Sequence, residues 1–141
     1  MDDELAEIRK RKMQELMHRL QEPPTPTVAE PLGNGNVNLL TDASFWNTVR
    51  QTNNSLIDFY GEWCSPCKML APIFRDLAID YKGQAFFGKI DIDRNPRTTA
   101  QFGVQSVPMV IAFKKGQPVG KLPGLRNYVD YDQILQRMMG S

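Results

Sequence analysis

The spacing of hydrophobic positions changes along the chain, and each change marks a predicted element. Leu5, Ile8, Met13, Leu16, Met17 and Leu20 recur every three to five residues among charged neighbours, which predicts a helix over residues 1–20. Glu7 with Arg11 and Glu15 with Arg19 stand four apart in the favourable order, and Asp2, Asp3 and Glu4 lie where the positive end of the helix dipole falls. The apolar stripe is narrow, so such a helix is marginal in water unless it packs on something. Residues 21–36 carry four prolines and two glycines, which prevent helix and interrupt strand pairing, so a linker is expected there.

From about residue 39 the pattern alternates between strands and helices. Thr41 or Asp42 is placed to cap a helix carrying Phe45, Trp46 and Val49. "SLIDFY" reads as a strand buried on both faces, and "CKMLAPIFRDLAIDY" as a helix with an apolar stripe and Pro72 inside it. "QAFFGKIDID" is the next strand, after which Asn95 is expected to cap and Pro96 to open a short helix. "VPMVIAF" and "PVGKL" form a hairpin across Lys114–Gln117, and a last helix is expected from about Tyr128 to Met139. This order defines an α/β fold with a central mixed β-sheet flanked by helices. The expected organisation is a charged helix over 1–20, a Pro/Gly-rich linker over 21–36 and one α/β domain over 37–141.

Length and charge narrow the function classes. The chain has 141 residues, 41% hydrophobic and 23% charged, which fits one domain with an appendage. A net charge of +1 gives no ground to expect nucleic acid, a membrane surface or an acidic substrate. The opening residues contain no apolar run of the signal-peptide kind, so a cytoplasmic location is expected. In a reducing cytosol a lone cysteine pair is more often catalytic or metal-binding than a permanent crosslink.

The chemistry concentrates in "LIDFYGEWCSPCKML", which holds the chain's two cysteines, Cys64 and Cys67. A zinc site needs about four ligands, whereas the chain offers these thiols and His18, which lies beyond the linker; a metal shared between two chains is the remaining metal reading. As a redox pair the residues are well placed. The strand ends at Tyr60 and a helix starts near Cys64, so unpaired N–H groups and the helix dipole favour a thiolate at Cys64, the better nucleophile. Pro66 suits the first helical turn, and the two-residue spacing brings the sulfurs within bonding reach. Cys67, deeper in the helix, is then the resolving thiol, and burial resists its ionisation. Asp58, a carboxylate in an otherwise apolar strand, is the candidate base, and Lys89 in the next strand is its candidate charge partner. Alternation puts Asp58 opposite Ile57 and Phe59, beneath the cysteine helix.

"IDFYGEWCSPCKMLAPIF", "KIDIDRNP", "FGVQSVPMVIAFKKG" and "LPGL", in this order and at these separations, closely resemble the thioredoxin family over about residues 37–139. The resemblance implies a thioredoxin fold and exchange of disulfides in partner proteins, with Cys64 as nucleophile, Cys67 as resolving thiol and Asp58 as the buried acid. It implies that Pro108 is a cis-proline beside the disulfide. It also implies that Trp63, Ser65, Pro66, Val107, Met109 and Gly124 belong to the flat surface on which targets dock. No cofactor is implied beyond the Cys64–Cys67 pair; the implied partners are disulfide-containing targets and a thioredoxin reductase, with neither membrane nor nucleic acid expected. Ser65 stands where the family usually has glycine, Tyr60 where an aromatic, often tryptophan, is usual, and Met109 where threonine is common. Two other readings accompany the reductase: a more oxidising oxidant or isomerase, and a redox-switched adaptor recruited by the N-terminal helix.

Overall fold

The seven residues Asn54–Tyr60 form the middle strand of a five-stranded sheet, and their side chains alternate between two separate cores. The computed structural model describes residues 2–21, 30 and 32–140. Along the chain the elements are α1 (Asp2–Gln21), β1 (Val37–Leu39), α2 (Phe45–Val49), β2 (Asn54–Tyr60), α3 (Ser65–Asp80), β3 (Phe86–Asp91), α4 (Pro96–Gln101), β4 (Met109–Lys114), β5 (Gln117–Pro123) and α5 (Tyr128–Gly140). The sheet order is β1-β3-β2-β4-β5, parallel across the first three strands and antiparallel from β2 outward through β4 and β5. The expected mixed sheet flanked by helices is therefore what forms.

Each face of the sheet must lose water, and helices supply the cover. On one face Leu56, Phe87 and Val110 pack with Leu70, Phe74 and Leu77 of α3 and with Tyr131 and Leu135 of α5. On the other, Ile57, Phe59, Ile90 and Phe113 pack with Phe45 and Val49 of α2. Phe45 meets Phe113 edge-on at 5.7 Å between ring centroids and lies 5.4 Å from Phe102. Full burial of such rings stabilises by roughly 1.5–3 kcal/mol each, before the edge contacts are added.

The structure differs from the sequence reading at three places. Strand β1, the three residues Val37–Leu39, follows the expected linker and was not among the expected strands; it forms because β3 offers it a parallel edge. The caps differ from expectation: of the two candidates ahead of α2, Thr41 accepts from the Ser44 N–H at 3.2 Å through its hydroxyl. Asp42 does not cap α2; its carboxylate accepts from the N–H groups of Arg97 and Thr98 at 3.2 and 2.8 Å, and so caps α4. Asn95 makes no side-chain cap on α4; it accepts from the Asp42 N–H at 2.8 Å and donates to the Asp91 carbonyl at 2.9 Å. Of the expected linker, residues 22–29 and 31 lie outside the described residues. Glu30 is buried, and its carboxylate accepts from the N–H of Asn53 at 2.5 Å and of Asn54 at 3.3 Å.

Helix α1 does pack, although with only part of its stripe. Leu5 and Ile8 join the core beneath α3 and α5, whereas Met13, Leu16 and Met17 stay more than half exposed. Charged groups complete the contact. Asp132 of α5 is 3% exposed and accepts from the Tyr81 hydroxyl, from Arg11 at 2.8 Å and, as an ion pair, from Lys12 at 3.2 Å. The Lys12 ammonium also lies on the Tyr81 ring, 2.8 Å from its centroid, and burial lowers its pKa to about 8 against the pull of Asp132. Arg9 reaches Asp76 at 3.6 Å and Asp80 at 3.5 Å. The run Arg9 to Lys12 is thus spent largely within the molecule, and Arg11 pairs with Asp132 across 121 residues.

Replacing Asp132 leaves the buried Lys12 ammonium without its ion-pair partner and takes the acceptor from the Tyr81 hydroxyl proton, whose oxygen keeps the Gln136 amide as donor. Asp132→Ala is expected to cost about 3 kcal/mol or more in urea unfolding at pH 7 and to abolish amide-exchange protection along α1; a loss under about 1 kcal/mol would show that the ionic contact is incidental.

Candidate active site

Strand β2 delivers the chain at Tyr60, and after four intervening residues α3 begins at Ser65. Cys64 occupies the N-cap with extended backbone, φ −92° and ψ 110°, and Pro66 sits in the first turn, where no N–H is needed. The Cys67 N–H donates to Cys64 Sγ at 3.2 Å, so the first sulfur sits at the positive end of the helix, among its unpaired donors. The two cysteines are joined as a disulfide with their Cα atoms 5.3 Å apart. Cys64 and Cys67 are 3% and 5% exposed, so the pair lies just beneath the surface.

Trp63 stands outside it, 67% exposed, and its indole N–H donates to the Asp93 carboxylate at 2.7 Å. A Cβ at Gly61 would fall 2.7 Å from the Trp63 ring, so the close approach of this ring requires glycine. Ser65 and Pro66 are exposed on the first turn. The sheet topology brings the other expected residues to the same end. Because β4 runs antiparallel to β2, its first residue, Met109, lies opposite Phe59, and Pro108 immediately precedes it. The Val107–Pro108 peptide is cis. The Gly124 N–H, at a φ of +78° that favours glycine, donates to the Pro108 carbonyl at 2.9 Å. Val107 and Met109 are half-buried against the core.

Asp58 lies beneath, on the face of β2 that α3 covers, 5% exposed, with Oδ1 hydrogen-bonded to nothing. Burial raises its pKa to about 7, against a smaller lowering by the Lys89 charge. Asp58, Cys67, Tyr60 and Lys89 together line an open cavity of about 380 Å3. Asp58 and Lys89 are register partners on β2 and β3, as expected, yet no ion pair within 4 Å joins them among the described residues. The Lys89 ammonium lies instead 5.4 Å from the centroid of the Tyr60 ring. Asp93 was not among the expected site residues, although it stands in the quoted "KIDIDRNP"; only the fold reveals that its carboxylate holds Trp63. The His18 side chain lies outside the described residues, and among those residues no three His, Cys, Asp or Glu gather as metal ligands.

A two-residue disulfide ring at a helix N-terminus, on a mixed sheet and above a buried carboxyl, defines the class of dithiol–disulfide oxidoreductases. The comparisons narrow it. The thioredoxin family model matches residues 36–137. Thioredoxins of Staphylococcus aureus strains Mu50 and MW2 are each 43% identical over 98 residues, 70% of this chain and 93% of their own length. A solved N21Q mutant thioredoxin from Halobacterium salinarum NRC-1 superposes with a TM-score of 0.71 at 26% identity, covering 80% of this chain and 96% of that one. The chain belongs to the thioredoxin family. Its activity is protein dithiol–disulfide oxidoreduction through Cys64 and Cys67.

The Asp58 environment carries a stability signature. Below about pH 4 the carboxyl is protonated in both folded and unfolded states; between pH 4 and 7 the unfolded chain releases the proton and the folded one retains it, so stability falls as pH rises. Asp58→Asn is therefore expected to stabilise by roughly 3–4 kcal/mol at pH 8 and hardly at all at pH 4 in denaturant melts.

Proposed function

We propose that the protein reduces disulfides of partner proteins, with Cys64 attacking, Cys67 resolving and Asp58 managing the proton. The observation that carries this reading is that Cys64 Sγ accepts a helix N-terminal N–H while Cys67 lines the same cavity as the unpaired Asp58 carboxyl. The Cys64 thiolate attacks one sulfur of the target disulfide; a mixed disulfide forms and the other target sulfur leaves as a thiolate. Cys67 gives its proton to the Asp58 carboxylate through the cavity and attacks Cys64 Sγ. The second target sulfur leaves, two electrons having passed to the target, and the Cys64–Cys67 disulfide remains. A raised Asp58 pKa suits this task, because a base is most effective when it titrates near the working pH.

Targets dock, on this reading, against Trp63, Ser65, Pro66, Val107, Met109 and Gly124, with the backbone at Pro108 offered to the bound segment. Lys89 acts on the charge of Asp58. The redox pair needs no added cofactor, and a thioredoxin reductase restores the dithiol, as family membership implies. The setting is the cytoplasm; no described helix is long and apolar enough to cross a membrane. Residues 37–141 form the catalytic domain, with the 1–20 helix and the 21–36 linker as its appendage. The comparisons do not favour the oxidant, isomerase or adaptor readings. Helix α1 contacts Asp76 and Asp80 at the end of α3 remote from Cys64, and a helix of 16 residues is about 24 Å long.

Insulin reduction tests the assignment. Cys64→Ser is expected to abolish turnover, whereas Cys67→Ser should accumulate a covalent mixed disulfide visible on non-reducing gels; normal turnover by Cys67→Ser would overturn the two-step scheme. Asp58→Asn should slow resolution at least about tenfold while leaving attack nearly unchanged. Removal of residues 1–21 should leave turnover within about twofold, and a larger loss would bring α1 into the reaction.

A further inference from the structure

Two groups on one face of the sheet compete for a single ammonium. Asp58 and Tyr60 are two apart on β2 and so point to the same face, and Lys89 is the β3 register partner of Asp58 on that face. With four methylenes, the Lys89 side chain is long enough to reach either neighbour. It lies on the ring: Nζ is 5.4 Å from the Tyr60 centroid, inside the range of about 6 Å over which an aromatic face attracts a cation. The carboxylate is left with Oδ1 buried and unpartnered, where a charge-assisted contact to Lys89 would ordinarily form. Tyr60 is half-buried, and it lines the cavity shared by Asp58, Cys67 and Lys89.

We propose that Tyr60 is a positioning residue for the buried acid: its ring face holds the Lys89 ammonium outside ion-pair range of Asp58 and keeps that carboxyl unpaired beside Cys67. An ion-paired Asp58 would be a carboxylate too weakly basic to accept the Cys67 proton; a distant Lys89 still tempers its burial without neutralising it. The inference rests on the reading of Asp58 as proton acceptor, but its geometry can be tested without turnover. Other charged or titratable groups face Asp58 as well. Cys67, Lys68 and Arg75 of α3 border its two cavities, and Tyr131 of α5 feels its charge. Glu62 closes the outer cavity, and on the β4 side the partner is the apolar Val110. None of these belongs to β3, so Lys89 can be removed separately.

The test is a carbon-13 NMR titration of the Asp58 carboxyl in the full chain. Tyr60→Phe keeps the ring face and is expected to leave the midpoint within about 0.3 pH units of the unaltered protein. Tyr60→Leu frees Lys89 to pair with Asp58 and is expected to lower the midpoint by about one pH unit or more. In a Lys89→Met background the Tyr60→Leu shift should vanish. An unchanged or raised midpoint in Tyr60→Leu overturns the proposal, as does an equal shift in the Lys89→Met background, which would assign the effect to altered burial. Should Tyr60→Leu fail to fold, the unaltered protein still decides: the Lys89 ε-methylene protons are expected upfield of their unfolded positions through the ring current of Tyr60, and unshifted protons overturn the proposal. Asp58→Asn kinetics test the proton-acceptor role separately, so failure of one reading is not mistaken for failure of the other.

Discussion

Strand β2 has a hydrogen-bonded neighbour on each edge and a helical layer on each face, and this double enclosure sets the conditions for the site. A strand so enclosed favours apolar side chains at every position, and Leu56, Ile57 and Phe59 comply. Asp58 breaks the rule at a cost that appears as its raised pKa. The same enclosure directs the chain at the end of β2 straight into α3, so the helix N-terminus stands over the strand's carboxyl end, where ligands of α/β sheets commonly meet the backbone. One strand thus provides both halves of the chemistry: a buried acid within it and a polarised sulfur at its exit.

Features that depend on near neighbours in sequence were legible; features that depend on distant ones were not. Cys64, Pro66 and Cys67 announce their geometry because a helix start is a local event, and the apolar run around Asp58 makes its burial plain. The caps show where such reasoning stops. Asp42 and Asn95 each stand ahead of a helix, and propensity assigns each to the helix that follows. The fold brings the two within hydrogen-bonding distance across 53 residues, and Asp42 then serves α4 while Asn95 ties α4 to β3. Strand β1 is not legible in the sequence because its three residues are strand only in the presence of β3. The hold of Tyr60 on Lys89 is likewise a cross-strand matter.

Helix α1 lies outside the residues matched by the family model and is the part of the chain least governed by the thioredoxin pattern. Its apolar stripe suggested a hydrophobic contact, but the observed one is mixed: Ile8 inserts into the core, and the next position on that face, four residues on, is Lys12. A lysine is tolerated there because Asp132 and the Tyr81 ring receive it, and neither could be assigned as its partner from the helix alone. Charges that read as a solvated face are in part a fastening.

Glu30 gives that fastening a further consequence. Its carboxylate clamps the chain to the start of β2 through the N–H groups of Asn53 and Asn54, so the chain that leaves α1 has a fixed point at Glu30. Because the helix belongs to the same chain as its seat, its docking is an intramolecular step. Contacts too weak to join separate molecules are then enough to keep the seat occupied, and a free peptide of the same sequence competes at a disadvantage set by covalent connection rather than by the chemistry of the surface.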